Sequence, residues 1–367
     1  MRGLSLWLVC LASFIFGWYA IGIFFQRDKL QRLQPTLSNY SPNSVESGGG
    51  DNLNKEVTFL LLGYGGQGHD GGYLSDSLML LNINFASKEI VLISVPRDLW
   101  VSIPVRSDEK INRKINAAYA IGLDDEKYPL KEPRYKGEFG GGRLVSAVVE
   151  NLFDITIDGF VAVDFSSFEK IIDTLGGIDV DVPKTFDDYF YPIKGKENDT
   201  CGFSPSQIEE FHMKYSGFEL EKQFTCRYEH LHFDKGRNHM DGKTALKFVR
   251  SRHSSQYGGD FARSQRQKEV LLAAKDKLLT LTAVKKHEDI YEEFKNLVKT
   301  DITKDVVLGL AKSMGDVSQY KMKFAGLTEE NVLMAAKSFD GQFILIPKKG
   351  EGVWDDVREF IREQIGS

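Results

Sequence analysis

Cysteine is scarce, with three in 367 residues, at positions 10, 201 and 226. They form no CxxC pair. The histidines are few as well, and His212, His230, His232 and His239 fall at no ligand spacing, so the pattern gives no zinc site. The glycine-rich stretch Tyr64–Gly72 (YGGQGHDGG) is not followed by GK[ST], which excludes a P-loop, and it makes no convincing dinucleotide fingerprint. Broad positive charge is missing too. The formal net charge is -5 and the pI about 5.9, which argues against a nucleic-acid binder without excluding a focused anion site. Internal repeats, coiled-coil heptads and a second long apolar run are all absent.

One long apolar run is present. Leu4 to Phe25 (LSLWLVCLASFIFGWYAIGIFF) carries no charged residue and as a helix would span about 30 Å, the thickness of a bilayer core. Residues 1–27 are therefore expected to be a short tip and a single transmembrane anchor. A signal peptide fits less well, because no small-x-small site precedes Gln26. Flanking charge, taken alone, slightly favours the body inside. Residues 28–54, with Pro35, Pro42 and Gly48-Gly49-Gly50, read as a flexible linker.

Cations gather in one place. Lys247–Val270 (KFVRSRHSSQYGGDFARSQRQKEV) holds Lys247, Arg250, Arg252, Arg263, Arg266 and Lys268 against Asp260 and Glu269. The pattern reads as strand, loop, helix: Ala245–Val249 as an apolar approach, Ser254–Gly259 as the turn, and a helix from Phe261 with Asp260 as its N-cap. If the loop folds back, Arg250 and Arg252 join Arg263 and Arg266. Guanidinium forks match phosphate oxygens two at a time, so the stretch reads as a phosphate or diphosphate site; the competing reading is a solvated basic face.

From Val57 to Pro183 strands and helices interleave, which predicts a layered α/β domain. Strands are expected at Glu56–Gly63, Leu78–Ile83, Lys88–Val95, Gly159–Asp164 and Ile178–Pro183. Helices are expected at Lys114–Ile121, Gly142–Leu152 and Phe165–Leu175. Arg97 and Asp98 follow the third strand, where open sheets place ligands. Asp76, at a strand start, joins them only if its strand runs antiparallel. Residues 184–235 form a polar, aromatic-rich insert. Within it, Cys201 and Cys226 read either as a stapling disulfide or as two free thiols. A helix is expected over Gln267–Leu281, with Val270, Leu271 and Ala274 among the residues facing the sheet. Residues 284–367 form a smaller α/β extension: helices at Glu288–Leu297, Asp301–Lys312, Glu329–Lys337 and Trp354–Glu363, strands at Tyr320–Phe324 and Phe343–Pro347.

Several of these stretches together resemble the LytR-CpsA-Psr family: LLLGYGG, SDSLMLLNIN, LISVPRDLWVSIP, KINAAYAIG, VENLFDITIDGFVAVDFSSFEKIIDTLGGIDVDVP, and HMDGKTALKFVRSRH followed by GGDFARSQRQKEV. They agree in order and spacing over most of 57–279. The resemblance implies an α/β fold, a mixed central sheet flanked by helices with an apolar groove for a polyprenyl tail, behind an N-terminal single transmembrane helix. The catalytic domain would be 55–283. The implied activity is a Mg²⁺-dependent phosphotransferase that moves a glycopolymer from a polyprenyl-pyrophosphate carrier onto peptidoglycan or another cell-wall acceptor. It further implies a body outside the cytoplasmic membrane, and thereby favours the Cys201–Cys226 disulfide.

Position by position, Arg97 and Asp98 match the PRD pair and Arg250 and Arg252 the RSR pair. Asp260, Arg263, Arg266 and Gln267 match D-x-x-R-x-x-R-Q. The resemblance gives this set the catalytic role, with Arg97, Arg250, Arg252 and Arg263 on the pyrophosphate and Asp76 and Asp70 as metal ligands. Lys114 and Asn116 match the start of the KINAAY helix. Two positions depart from the pattern: Tyr64-Gly65-Gly66 stands where many members have G-x-D, and Leu74 where many have arginine. A pyrophosphatase using the same site, and a non-catalytic scaffold holding a lipid-linked glycan, are the alternatives. A transcription regulator fits poorly with the anchor and the acidic composition.

Overall fold

The computed structural model describes residues 56–68, 71–282, 294–314 and 319–366. The expected anchor and linker, Cys10, Asp70 and most of the helix expected at Glu288–Leu297 lie outside them. Among the described residues no helix is long and apolar enough to cross a membrane.

The sequence TFLLLG has no polar alternation, so its strand must be covered on both faces. It forms β1 (Glu56–Tyr64), with every residue from Thr58 onward buried. β1 pairs antiparallel with β2 (Ser75–Asn84), which pairs antiparallel with β3 (Glu89–Val95). The β4–β5 hairpin (Trp100–Pro104, Lys110–Lys114) follows, then helices α1 (Ala117–Leu123) and α2 (Gly140–Phe153). β6 (Gly159–Asp164) returns parallel to β1 and runs directly into α3 (Phe165–Thr174), whose N-cap Asp164 accepts from the Ser167 amide.

The strand expected last in this domain is β7 (Ile178–Val182). The insert is a hairpin of β8 (Phe186–Pro192) and β9 (Tyr228–Phe233), enclosing α4 (Pro205–Lys214) and the single turn α5 (Phe218–Glu221). A Cys201–Cys226 disulfide closes it over Phe203, Phe211 and Phe224, whose rings meet edge-on at 5.0–6.0 Å. β10 (Gly236–Met240) pairs with β7. Next come α6 (Gly242–Arg250) and α7 (Gly259–Thr282), which packs on β7 and buries Val270, Leu271 and Ala274. The tail adds β11 (Lys299–Thr300), α8 (Lys304–Met314), β12 (Lys321–Gly326), the β13–β14 hairpin (Leu333–Lys337, Phe343–Pro347) and α9 (Asp355–Ile365).

The central sheet is mixed and six-stranded, in the order β11-β6-β1-β2-β3-β12. Both edges come from the tail: β11 pairs antiparallel with β6 and β12 parallel with β3. The mixed α/β architecture matches the expectation.

Four local expectations are corrected. Ala245–Val249 is not a strand approach but the middle of α6. Ala245, Leu246, Phe248 and Val249 are buried at helical spacing, and Asp241 caps the helix by accepting from the Thr244 amide at 2.7 Å. Asp260 is not the N-cap of α7; the helix begins one residue earlier, at Gly259. Lys114 ends a strand, because Lys110–Lys114 alternates and pairs with Trp100–Pro104, and the helix starts only at Ala117. Leu333–Lys337 is a strand rather than a helix. Asp340-Gly341, with Gly341 at φ 80°, turns it into β14.

The helix that carries Arg250 is seated by a close approach. The Gly242 amide donates to Asp173 Oδ1 at 2.7 Å, at the end of α3. A Cβ on Gly242 would lie 2.1 Å from the Glu169 carbonyl oxygen, so only glycine lets α6 sit this close to α3. Gly242→Ala is expected to destabilise the protein by about 1–3 kcal/mol, the usual scale of overpacking; the urea midpoint of the detergent-solubilised chain checks it.

Candidate active site

Asp76, Arg250 and Arg252 line one cavity of ≈ 290 Å³. They arrive from different elements. Asp76 is the second residue of β2, and because β2 runs antiparallel to β1 and β3, its start lies beside their carboxyl ends. Arg250 ends α6, where a cation also meets the negative end of the helix dipole. Its guanidinium carbon lies 4.5 Å from the Phe165 ring centre, and Nη1 donates to the Tyr191 hydroxyl at 3.3 Å. Arg252 lies two residues on, in the loop.

That loop is held by Asp188, which is fully buried. Its Oδ2 accepts from Ser251 Oγ at 2.7 Å, the Arg252 amide at 2.8 Å and the His253 amide at 3.1 Å. Oδ1 accepts from the Phe190 amide at 2.9 Å. Burial pushes this carboxyl up, but the hydrogen bonds from Ser251, Phe190, His253 and Arg252 outweigh it and hold it below the usual carboxylate range.

Arg97 and Asp98 are fixed from the other side. Arg97 Nη1 donates to Asp76 Oδ1. Asp98 is 2% exposed and accepts from Lys114 Nζ at 2.8 Å. Lys114 is brought there by the β4–β5 hairpin, and the segment is tied down by bonds from the Ile115 amide to the Leu99 carbonyl and from the Asn116 amide to the Arg97 carbonyl. Arg97 Nε and Asp98 Oδ2 face each other at 3.7 Å, both buried and, among the described residues, without a hydrogen-bond partner.

The expected convergence of four arginines is corrected in one respect. Arg266 is wholly buried under the loop, not in the cavity. Its Nη2 donates to the Ser251 carbonyl at 2.7 Å and its Nη1 to the Tyr257 carbonyl. Its guanidinium lies between the Phe186 and Tyr257 rings, at 5.0 and 5.3 Å. Burial lowers its pKa to about 10, so it remains charged at neutral pH. Gln267 is buried next to it in sequence. Asp260 and Arg263 have their backbone in the first turns of α7, and their side chains lie outside the description. Asp70 also lies outside it.

Sequence reasoning missed Asp188, Phe165 and Tyr191, all cavity-lining. A signal for Asp188 existed: strand alternation puts it on the same face as the apolar Phe186, and an acid on a buried face needs donors.

A family model, the LytR_cpsA_psr family, matches residues 26–347. The chain belongs to this family. Curated relatives carry the description polyisoprenyl-teichoic acid–peptidoglycan teichoic acid transferase. TagV of Bacillus subtilis is 27% identical over 305 residues, which is 80% of this chain and 64% of TagV. TagU of Oceanobacillus iheyensis is 28% identical over 249 residues, 68% of this chain and 60% of TagU. The matched part thus spans under two thirds of either relative. Among solved structures, protein gbs0355 from Streptococcus agalactiae aligns with a TM-score of 0.57 at 21% identity, covering 86% of this chain and 89% of that one. The crystal structure of B. subtilis TagV gives a TM-score of 0.53 at 24% identity, covering 85% and 98%. These likenesses show that the fold is shared.

Asp188→Ala strips acceptors from the part-buried Arg252 and Phe190 amides and is expected to cost about 2–6 kcal/mol, at about 1–3 kcal/mol per orphaned donor. Because the folded carboxyl titrates below its unfolded value, its contribution is present above the ordinary carboxylate range. It is lost as pH falls through the lowered folded pKa. The stability gap between wild type and Asp188→Asn should therefore be constant near neutrality and shrink in strong acid, as read by denaturant unfolding at stepped pH.

Proposed function

We propose that this protein transfers a glycopolymer from a polyprenyl-pyrophosphate carrier to a hydroxyl of peptidoglycan or a comparable cell-wall acceptor. The observation that carries the reading is the meeting of Arg250, Arg252 and the Arg97-paired Asp76 at one cavity, in a chain whose family includes the teichoic acid transferases named above.

The acceptor oxygen attacks the phosphorus bonded to the glycopolymer. A new P–O bond forms, the bond to the polyprenyl phosphate breaks, and polyprenyl phosphate leaves with the electron pair. Negative charge grows on the phosphoryl oxygens. Arg250 and Arg252 line the cavity that receives it. Arg97 backs the site by holding Asp76 at the cavity wall. Asp76 Oδ1 is held by Arg97, which leaves Oδ2 to take the acceptor proton or to hold a cation. Asp98, shut from solvent and bonded to Lys114, positions Arg97 rather than touching substrate.

A carboxylate with one oxygen left over, beside two arginines, would suit a Mg²⁺, an ion usually bound through one or two carboxylates. Asp76 is the residue that would hold it; Asp188 is occupied by its N–H and O–H donors. When bound, the ion supplies positive charge to the phosphoryl oxygens.

The apolar run Leu4–Phe25 and the Cys201–Cys226 disulfide support a single-pass membrane protein with its body on the oxidising, extracytoplasmic side. The polyprenyl tail would reach the site from the bilayer.

The full chain in detergent, given a polyprenyl-pyrophosphoryl sugar and peptidoglycan fragments, should yield a phosphodiester-linked adduct detectable by mass spectrometry. Arg252→Ala and Arg250→Ala should each lower its rate by a factor corresponding to about 2–4 kcal/mol of barrier. Free sugar phosphate without adduct would replace transfer by hydrolysis, and binding without turnover would leave a scaffold. Chelation with EDTA should suppress the adduct and added Mg²⁺ restore it; turnover unaffected by EDTA would remove the ion from the reading.

A further inference from the structure

The insert does more than pack on the domain. It supplies Phe190, Tyr191, Pro192, Glu221 and Tyr228 to the wall of the cavity that Arg250 and Arg252 line. Its rings are joined to the arginine loop. Phe190 meets Tyr228 and Phe218 edge-on at 5.6 and 5.2 Å, and Phe218 stacks on His253 at 4.0 Å with the planes 10° apart. Among the described residues, three carboxylates line the cavity. Asp76 is paired with Arg97. Asp188 is saturated by hydrogen bonds. Glu221 is exposed, and among the described residues its carboxylate makes no hydrogen bond or ion pair.

A bare carboxylate repels a diphosphate in the same cavity. What lies beside Glu221 must therefore be an uncharged part of the ligand that offers hydrogen-bond donors. The ring attached to the phosphate meets both conditions: a neutral sugar carries hydroxyl donors on its edge and a C–H face that suits an aromatic wall. Apolar and aromatic walls with a few placed polar groups are the usual makeup of such subsites.

We infer that the insert is the sugar subsite of this protein, recognising the first neutral hexose or N-acetylhexosamine of the lipid-linked glycan. Glu221 accepts from its hydroxyls, and Phe190 and Tyr228 pack on its ring. This deepens the reading of the arginine site as a pyrophosphate site and rests on it.

The test measures binding to the full chain in detergent micelles. The probes are farnesyl pyrophosphate and its glucosyl, galactosyl and N-acetylglucosaminyl derivatives. At least one glycosylated probe should bind roughly tenfold tighter than bare farnesyl pyrophosphate, the scale of a hydrogen bond to a charged group. Glu221→Ala, at an exposed position where folding is not at stake, should abolish that gain without weakening the bare probe, which loses a repelling charge and binds as tightly or tighter; Tyr228→Ala should abolish the gain and leave the bare probe's affinity unchanged. Arg252→Ala should weaken all probes alike. The inference is overturned if no sugar adds affinity, if the gain survives both substitutions, or if Glu221→Ala weakens bare and glycosylated probes equally. Failure of bare farnesyl pyrophosphate to bind the wild type is a different result, which removes the pyrophosphate reading itself.

Discussion

Two guanidinium groups facing one cavity repel each other, and the loop that carries the second has no ladder of its own to hold it. Asp188 resolves this by accepting backbone and side-chain donors from three consecutive residues, Ser251, Arg252 and His253. Arg266 works from beneath on the carbonyls of Ser251 and Tyr257. The loop is thus gripped through its donors by an anion and through its acceptors by a cation. A buried charge is costly unless it is saturated with hydrogen bonds; here that requirement fixes the direction of the Arg252 backbone. Loss of either partner would reach the anion site without touching a residue that lines the cavity with a cation.

The same logic governs the other side. Arg97 lies within reach of two carboxylates, Asp76 and Asp98, and Lys114 satisfies the more buried of them. The β4–β5 hairpin is therefore part of the site although it contributes nothing to the cavity lining. Charge alternates along Asp76, Arg97, Asp98 and Lys114, so a dense group of ions holds together before any phosphate arrives.

Much of this was legible in the sequence, unevenly. The buried strands showed as unbroken apolar runs. The basic stretch was visible as a site, and Asp76 was conditional on an antiparallel strand, which β2 is. Individual roles were not legible. Arg250 and Arg266 look alike in sequence, yet one faces the cavity and the other supports the loop from below, because the helical phase of α7 relative to the loop is set by tertiary packing. Helix and strand were confused at Ala245–Val249, a short apolar run whose length could not separate the two. The same ambiguity holds at Leu333–Lys337, which the Asp340-Gly341 turn folds back as a strand onto β14. The insert read as a polar excursion because its contribution to the cavity depends on contacts with residues far along the chain.

The two edges of the central sheet have a consequence for how the chain comes into being. β3 receives its outer neighbour, β12, and β6 its own, β11, only from the tail. During synthesis both inner strands exist for a long interval with open hydrogen-bonding edges, and such edges invite pairing with other chains. Non-local pairings of this kind also close late and slowly. A truncation that spares every arginine of the site but removes residues beyond β11 would leave β3 bare, so the tail acts as an internal guard against self-association of the unfinished domain.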